Sequence, residues 1–394
     1  MSGNEIINNL ELKAVKEIFT KSNGVLFAHG FDKRRNGIFR VQKFEKNLAK
    51  YLKCKYAVAC SSGTAAGYLA LKAIGIGVGD EVIVQAFTFI AALESIIQTG
   101  AKPVIVDCDN SLGMCPKDLK NKISKKTKCI MPVHMLGESV NCEEIIKISK
   151  KFKIPIIEDA CESLGAKYKN RYLGTLGKVG FFSLDFGKVI TTGEGGFLCT
   201  NDKKIYIKLK AMRDHGHENK KNFHRGLDKA IEIGFNYRMT EMQAAIGIAQ
   251  LKKINLILKK KKKKKKLLIK NLNEIILNNK IKVRHSHNPN SEQFDHFVMY
   301  FQTENKAKKV YKYLNKKKIL TGILPVATRW HYAGYWDHLW QKCKKNNQNQ
   351  FHKKYWKNTS NLISRSVSLH ISINETSAQI KEKAIKIIAV VNKF

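Results

Sequence analysis

Long apolar segments are missing from this sequence, and its first residues do not show the pattern of a secretory leader. None of its 394 residues belongs to a run of the roughly 18 to 20 uncharged apolar residues that a bilayer-spanning helix needs. The first residues, 1–5, lack the basic segment followed by an apolar segment that marks a secretory leader. We therefore expect a soluble, cytoplasmic protein with no membrane partner.

Paired cysteine motifs are also missing. The nine cysteines are odd in number and include no C-x-x-C pair. This pattern argues against a disulfide framework and against a zinc site. We expect reduced thiols and no bound metal.

Acidic residues and arginine are both scarce beside lysine. The chain has 32 acidic and 72 basic residues, of which 10 are arginine and 62 are lysine, and its net charge is +40. A strongly basic chain suggests a nucleic-acid partner, but recognition of phosphates and bases favours the arginine fork. We therefore expect no nucleic-acid partner. Residues 259–266 are eight consecutive lysines, and we expect them to form an exposed helix that faces solvent rather than a polyanion site.

Short apolar runs alternate with helical patterns through the first half of the chain. This alternation is typical of parallel strands joined by helical crossovers. The runs are rich in valine, isoleucine and phenylalanine, which indicates strands covered on both faces. The predicted strands are residues 56–60, 81–84, 103–107, 128–133, 154–158, 179–183 and 196–200. The sequence therefore predicts an α/β domain with a mostly parallel sheet.

The rest of the chain predicts a second, smaller domain. Residues 239–258 have the apolar spacing of a helix, which the lysine run can extend. Beyond it, residues 297–302 and 320–324 predict strands, and residues 377–394 predict a closing helix. Because the chain is too long for one core, we predict a large α/β domain over 1–250 and a small α+β domain over 251–394, joined by a long lysine-rich helix.

Two residues at predicted strand ends have the chemistry of a cofactor site. Lys188 lies between a strand and the glycine-rich turn 191–196, where a lysine can form a Schiff base with an aldehyde cofactor and then carry a proton. Asp159 follows strand 154–158, and the carboxyl ends of strands build sites in open α/β sheets. A buried carboxylate there can keep a pyridine nitrogen protonated. The alternative is an aspartate that caps a helix beginning near residue 160.

The turn at residues 61–66, Ser-Ser-Gly-Thr-Ala-Ala, follows the first predicted strand and opens a helix. Its amides and the Thr64 hydroxyl can hold a phosphate at the positive end of that helix, although an ordinary helix cap needs the same residues. The turn is not G-x-G-x-x-G, which argues against a Rossmann oxidoreductase.

Together, the motifs of residues 39–251 resemble the DegT/DnrJ/StrS family of sugar aminotransferases. The resemblance implies a fold-type I homodimer with shared active sites that uses pyridoxal 5'-phosphate, in its pyridoxamine form during turnover. It also implies glutamate as the usual amino donor and a keto sugar as acceptor, for polysaccharide or lipopolysaccharide biosynthesis. The residues that carry the resemblance are 62–66 (SGTAA), 79–83 (GDEVI), 88–89 (TF), 132–134 (PVH), 158–160 (EDA), 182–183 (FS), Lys188, 193–196 (GEGG), 236–239 (NYRM) and 243–247 (QAAIG).

The same resemblance implies roles near the cofactor ring. Lys188 would be the Schiff-base lysine, Asp159 the partner of the pyridine nitrogen, and both would be catalytic. Phe89 would stack on the ring. Glu162 stands where the family often has glutamine or histidine near the ring hydroxyl. Whether Glu162 contacts the cofactor or is an ordinary acid in the first turn of a helix stays open.

Other residues would bind the cofactor phosphate. By the resemblance, Gly63, Thr64 and Ser183 would hold it within one subunit. Asn236 would reach it from the other subunit.

Three further segments, 27–32 (FAHGFD), 133–137 (VHMLG) and 214–218 (DHGHE), are similar to aminotransferases that act on 8-keto derivatives of octulosonic acid, a lipopolysaccharide sugar. A sugar acid presents a carboxylate, which basic side chains can anchor. The candidate substrate-binding residues are Arg213, His215, His217 and Arg329. The alternating histidines have no clear third ligand, so we interpret them as loop or substrate residues rather than as a metal site.

Two alternatives keep the fold but change the function. Related sugar dehydratases have histidine at the lysine position, so Lys188 argues against that activity. A non-catalytic, regulatory relative that binds polyanions through its lysines is the other alternative. The presence of Lys188, Asp159 and Ser183 together argues against it.

Overall fold

A seven-stranded sheet is the centre of the computed structural model, which describes residues 3–219, 224–288, 295–339 and 356–394. Hydrogen bonding gives the orders β3-β2-β4 and β5-β8-β9-β1, and single parallel bridges join Ile130 to Ile156 and Val133 to Asp159. Strand β9 is antiparallel to both neighbours, and the other pairs are parallel. The strands are β1 (Tyr56–Cys60), β2 (Glu81–Gln85), β3 (Lys102–Val106), β4 (Thr127–Met131), β5 (Ile157–Asp159), β8 (Val179–Ser183) and β9 (Gly196–Thr200), with a hairpin of β6 (Lys167–Tyr168) and β7 (Arg171–Tyr172) between β5 and β8.

Strand β8 illustrates why the apolar runs became buried strands. All five of its residues are buried, as expected for a strand covered on both faces. Val179 and Phe181 belong to the apolar cluster on one face of the sheet, and Phe182 belongs to the cluster on the other. There Phe182 stacks on Phe197 of β9 with ring centroids 4.4 Å apart. All seven predicted strands of the first half are present: β1, β8 and β9 have the predicted bounds, and the other four have shifted ends.

Helices cover both faces of this sheet. Helices α3, α4 and α7 contribute to the apolar cluster on one face, and α2 and α8 contribute to the cluster on the other. The described helices are α1 (Asn9–Lys21), α2 (Arg40–Leu52), α3 (Gly63–Ala73), α4 (Ala91–Gln98), α5 (Pro116–Lys122), α6 (Cys142–Phe152), α7 (Lys203–Met212), α8 (Glu241–Asn271), α9 (Asn273–Leu277), α10 (Glu304–Lys316), α11 (Ile323–Val326), α12 (Thr328–His331), α13 (Lys357–Ser364) and α14 (Ser377–Asn392).

The C-terminal part adds a further apolar cluster and a small antiparallel sheet. Strands β10 (Lys282–Val283), β11 (His296–Tyr300) and β12 (Ser366–His370) pair in that order, and their cluster begins at Leu268 on α8. Trp356, Leu362 and Ile363, at and within α13, pack instead on the central sheet. The boundary at residue 250 therefore stays a prediction.

The predicted strand at residues 320–324 is wrong. Leu320 is 81% exposed, and Thr321 forms a single bridge to Leu369 before α11 begins at Ile323. Leu324 turns away to pack on the central sheet. The residues of this apolar run therefore have different surroundings: Leu320 faces solvent, Thr321 joins the small sheet and Leu324 packs on the central sheet. They do not form one face of a strand.

The lysine run 259–266 also differs from its prediction. It continues helix α8 as expected, but Lys261 and Lys265 are buried, so the run does not face solvent on all sides. Lys261 forms an ion pair with Asp295, and the Lys264 ammonium donates to backbone carbonyls near the start of α14. Lysine stems can pack along apolar surfaces, which allows this helix face to be covered.

Within the described ranges, no helix is long and apolar enough to cross a bilayer. In the same ranges, histidine, cysteine and acidic side chains form no group of three that could hold a metal ion. Eight cysteines are free thiols. The ninth, Cys343, lies outside the described residues.

Candidate active site

The candidate site lies at the carboxyl edge of the central sheet, where the connection between β8 and β9 passes the end of β5. Lys188 belongs to that connection, and its amide donates to the Asp185 carbonyl at 3.0 Å. Its side chain is 16% exposed, and its ammonium nitrogen lies 3.6 Å from a carboxylate oxygen of Glu162. The fold thus brings Lys188 and Glu162 together from separate strand connections.

Asp159 is the last residue of β5 and is buried. Its carboxylate accepts a hydrogen bond from the Cys161 amide at 3.0 Å. Burial raises the pKa of Asp159, although this hydrogen bond and the charge of Lys188 oppose the shift. The chain forms turns, not a helix, over residues 161–165. The helix-cap interpretation of Asp159 and the first-turn interpretation of Glu162 are therefore wrong.

The predicted phosphate turn lies against the end of β8. Helix α3 begins at Gly63, and the Ser62 hydroxyl caps it by accepting the Ala65 amide. A Cβ added at Gly63 would lie 2.8 Å from the Ser183 Cβ and 3.3 Å from the Cys161 sulfur. Gly63 is therefore required by close packing, and the structure brings it beside Ser183. The exposed Thr64 follows, where the helix amides carry partial positive charge.

Phe89 lies beside His331, a residue near Lys188 that the sequence did not identify as part of the site. Phe89 follows β2 and is 43% exposed, and its ring centroid lies 5.2 Å from that of His331. Backbone hydrogen bonds from Thr88 to His331 and from Ile90 to Trp330 hold the two segments together. Arg329 is exposed on the same C-terminal segment. The two segments are distant in sequence. Only their aromatic residues could have suggested that both contribute to the site.

Glu162 is held in place by the backbone of another connection. Its second carboxylate oxygen accepts the Leu136 amide at 2.7 Å. Burial by itself raises the pKa of Glu162, but the charges of Lys188 and His331 and the Leu136 hydrogen bond overcome this effect and lower it. The surroundings of Glu162 therefore favour its ionised form.

Asn236 lies on an exposed loop between α7 and α8. The loop is anchored beside the phosphate turn, because the Tyr237 carbonyl accepts the Ser61 amide at 2.9 Å. Among the described residues, no hydrogen bond or ion pair joins the Asn236 side chain to Lys188 or Asp159. The chain itself therefore does not bring Asn236 into contact with the two predicted catalytic residues.

A buried carboxylate, Asp214, anchors the same loop. It receives two hydrogen bonds of 2.5 Å from Arg225 and one of 2.7 Å from Arg238. The His29 ring nitrogen lies 3.2 Å away, and the backbone of Asp214 forms a bridge to Asn236. Segments 27–32 and 214–218, which the sequence resemblance singled out separately, thus meet at one residue.

The candidate substrate anchors are not gathered in one place. Arg213 is buried, where it forms an ion pair with Glu45 and donates to the Ala59 carbonyl at 2.6 Å. Because β1 is an edge strand, Arg213 satisfies a backbone group that would otherwise lack a partner. These contacts give Arg213 a structural role at the edge of β1, and its role as a substrate anchor stays a prediction.

The remaining anchors differ in their surroundings. His215 is exposed, and His217 lies 3.7 Å from Asp228. Both histidines are on the α7–α8 loop, whereas Arg329 lies on the segment that is bonded to the Phe89 segment. Arg329 thus lies two residues from His331, whose charge acts on Glu162.

Comparison with known proteins gives the family. The model of the DegT/DnrJ/EryC1/StrS aminotransferase family matches residues 33–388, which includes the C-terminal third. The chain is 40% identical over 237 residues to the GDP-perosamine synthase of Escherichia coli O157:H7, covering 60% of this chain and 64% of that protein. The chain thus aligns with less than two thirds of the length of this relative.

Solved structures are similar over nearly the whole chain. An aminotransferase from Psychrobacter cryohalolentis has a TM-score of 0.85 at 25% identity, covering 98% of each chain. A GDP-4-keto-6-deoxy-D-mannose-3-dehydratase of E. coli with bound hydrated PLP has a TM-score of 0.79 at 25% identity, covering 97% of each. These similarities confirm the predicted fold, that of fold-type I pyridoxal-phosphate enzymes. By its sequence from residue 33 to residue 388 and by its fold, this chain belongs to the DegT/DnrJ/EryC1/StrS aminotransferase family.

Proposed function

We propose that the protein is a pyridoxal-phosphate-dependent aminotransferase that moves an amino group onto a keto sugar for polysaccharide or lipopolysaccharide biosynthesis. The observation that carries the proposal is the meeting of Lys188 and Asp159 at one sheet edge, beside the start of α3. The similarity to GDP-perosamine synthase supports a sugar as the acceptor.

The side chains at this edge fit pyridoxal 5'-phosphate. The backbone amides at the start of α3 and the Ser183 hydroxyl suit a phosphate, and the closeness of Gly63 to Ser183 leaves no space for a larger side chain between them. Asp159 is a buried carboxylate that a protonated ring nitrogen would stabilise. When bound, the cofactor supplies an electron sink. Lys188 would bond to it and move the substrate proton, and Phe89 would cover one ring face.

Two alternatives have less support. The dehydratase shares the fold, so the fold does not separate the two activities. The resemblance of the motifs associates histidine with dehydration, whereas this chain has Lys188. Binding of polyanions through the lysine run is weakened by the burial of Lys261 and Lys265.

We also propose a homodimer with shared active sites. The exposed Asn236 side chain and the Asp214 anchor below it support a loop that is held rigid for contact with a second subunit. Lys188→Ala and Asn236→Ala protomers, each inactive alone, should regain some activity when mixed, because one site of a mixed dimer has both residues. Full activity of a monomer in sedimentation would contradict this arrangement.

The amino donor and acceptor are tested together. Purified protein is incubated with glutamate and a panel of keto sugars that includes GDP-linked sugars and an 8-keto octulosonic acid, and aminated products are detected by mass. We expect transfer to at least one sugar and none with Lys188→Ala. Failure of every sugar with cofactor-loaded protein would contradict the proposal. The cytoplasmic location stays a prediction.

A further inference from the structure

Glu162 is placed to act on Lys188 itself. One carboxylate oxygen of Glu162 lies 3.6 Å from the Lys188 ammonium, and both side chains are largely buried. The other oxygen accepts the Leu136 amide at 2.7 Å. The carboxylate is therefore fixed on one side by backbone and faces the lysine on the other.

The backbone that holds Glu162 adopts an uncommon conformation. Leu136 has φ 59° and ψ 28°, in the left-handed region that leucine seldom occupies. Such residues cluster at functional sites, where the surrounding structure enforces them. Here the conformation belongs to the residue whose amide holds Glu162.

Other charged and titratable groups also face Lys188, but among the described residues Glu162 alone lies within ion-pair distance of the lysine ammonium. Asp159 accepts the Cys161 amide, Asp185 accepts the Gly187 amide at 2.9 Å, and the His331 ring bonds to the Ala327 carbonyl. Burial by itself lowers the pKa of Lys188, and its acidic neighbours, Glu162 first among them, overcome that effect and raise it. The remaining neighbours are Cys161, Asp159 and Asp185.

We propose that Glu162 is the counter-ion of Lys188, a positioning residue that holds the lysine in its ammonium form before the cofactor binds, rather than a ligand of the ring hydroxyl. The inference rests on the proposed function in taking Lys188 as the cofactor lysine. Because an amine attacks a carbonyl carbon only when it is neutral, Glu162 would set the pH above which Lys188 can capture the cofactor. A glutamine, which the family often has here, carries no charge to do this.

The test measures the protonation of Lys188 in the apoprotein. Apoprotein is reductively methylated with formaldehyde and cyanoborohydride from about pH 7 to 11, and the methylation of Lys188 is followed by peptide mass spectrometry. Glu162→Gln removes the charge but keeps an oxygen for the Leu136 amide. We expect its midpoint for Lys188 to fall by about 1 to 3 pH units, with methylation at lower pH faster by about tenfold per unit.

Three further variants make the test specific. Glu162→Asp keeps the charge, so its midpoint for Lys188 should stay close to the wild-type value. Glu162→Ala should lower the midpoint as Glu162→Gln does. Asp185→Asn also removes a negative charge near Lys188 and should shift the midpoint less than Glu162→Gln. Circular dichroism confirms that each variant is folded.

An unchanged midpoint in folded Glu162→Gln and Glu162→Ala would overturn the inference, as would an equal shift in Asp185→Asn. A variant that changes the absorbance of cofactor-loaded protein but not the apoprotein titration would point instead to a ring contact. The titration contains no cofactor, so its result does not depend on the proposed function. If the wild-type protein transferred amino groups but the Glu162 variants left the midpoint unshifted, the counter-ion role of Glu162 would be rejected and the aminotransferase function would stand.

Discussion

The buried carboxylate of Asp214 offers a quantitative test of how the Asn236 loop is held. Arg225 and Arg238 both donate to it, at 2.5 and 2.7 Å, and His29 lies 3.2 Å away. Replacing Asp214 with asparagine keeps the shape of the side chain but removes its charge. The change therefore leaves two arginines without their shared counter-ion.

The size of the effect follows from burial. Breaking a fully buried ion pair by removing one partner costs about 3 to 5 kcal/mol. The Arg225 side chain is 32% exposed and that of Arg238 is 17% exposed, so water recovers part of the loss. We expect Asp214→Asn to lower the free energy of unfolding by about 2 to 4 kcal/mol.

The assay is urea unfolding of the apoprotein followed by circular dichroism. Asp228→Asn is the matched control, since Asp228 lies on the same loop. Its carboxylate accepts the Asn219 amide at 2.6 Å and lies 3.7 Å from a His217 ring nitrogen. We expect the control to change stability by less than about 1 kcal/mol. If Asp214→Asn stayed within about 0.5 kcal/mol of wild type, Asp214 would not anchor the loop.

The same variant has a pH signature. Against the effect of burial, Arg225 and Arg238 hold the pKa of Asp214 well below its usual range. The contribution of Asp214 is therefore complete above its unfolded pKa of about 3.9 and is lost as the pH falls towards the lower folded value. The stability difference between wild type and Asp214→Asn should shrink below about pH 4. A difference that did not change with acid would contradict an ionic anchor.

The remaining predictions concern the lysine run and the cofactor recess. Lys261→Met should lower the free energy of unfolding by about 2 to 4 kcal/mol, because it leaves the buried Asp295 carboxylate unpaired. Lys260 is exposed, and Lys260→Met should change the free energy of unfolding by less than about 0.5 kcal/mol. Equal urea midpoints of the two variants would contradict this prediction. Gly63→Ala should weaken cofactor binding in a fluorescence titration, because its Cβ would meet Ser183; unchanged affinity would exclude the close fit. Asp159→Asn should leave the fold intact and reduce turnover by about a hundredfold or more; near-normal activity would rule out its role.

Local patterns were enough to predict the centre of the fold. Strand β8 alternates side chains between two buried faces, so its apolar residues identified it without further information. Lys188 and Asp159 stand at strand ends, and the shared carboxyl edge of parallel strands brings such residues together. The turn that begins α3 could also be recognised locally, because its small residues follow directly after a strand.

Contacts between distant segments could not be predicted in the same way. Arg213 was interpreted as a substrate anchor, because nothing near it in sequence indicates that Glu45 and the edge of β1 would engage its side chain. His331 was missed because hydrogen bonds to the Phe89 segment, far away in the chain, bring it to the site.

The lysine run illustrates a third limit. Eight identical residues carry no periodicity, so the sequence cannot indicate which helix face is buried. The structure buries Lys261 and Lys265, which lie one helical turn apart. The segments that pack against α8, and not the lysine run itself, determine which face of the helix is buried.

The proposed function depends most directly on Lys188 as the residue that carries the cofactor. Protein loaded with pyridoxal 5'-phosphate is reduced with borohydride and digested, and the modified peptides are sequenced by mass spectrometry, with Lys188→Ala as the control. We expect one dominant pyridoxyl-lysine at Lys188 and its disappearance in the variant, although the protein has 62 lysines. Stoichiometric label on another lysine, or no difference between wild type and Lys188→Ala, would contradict it.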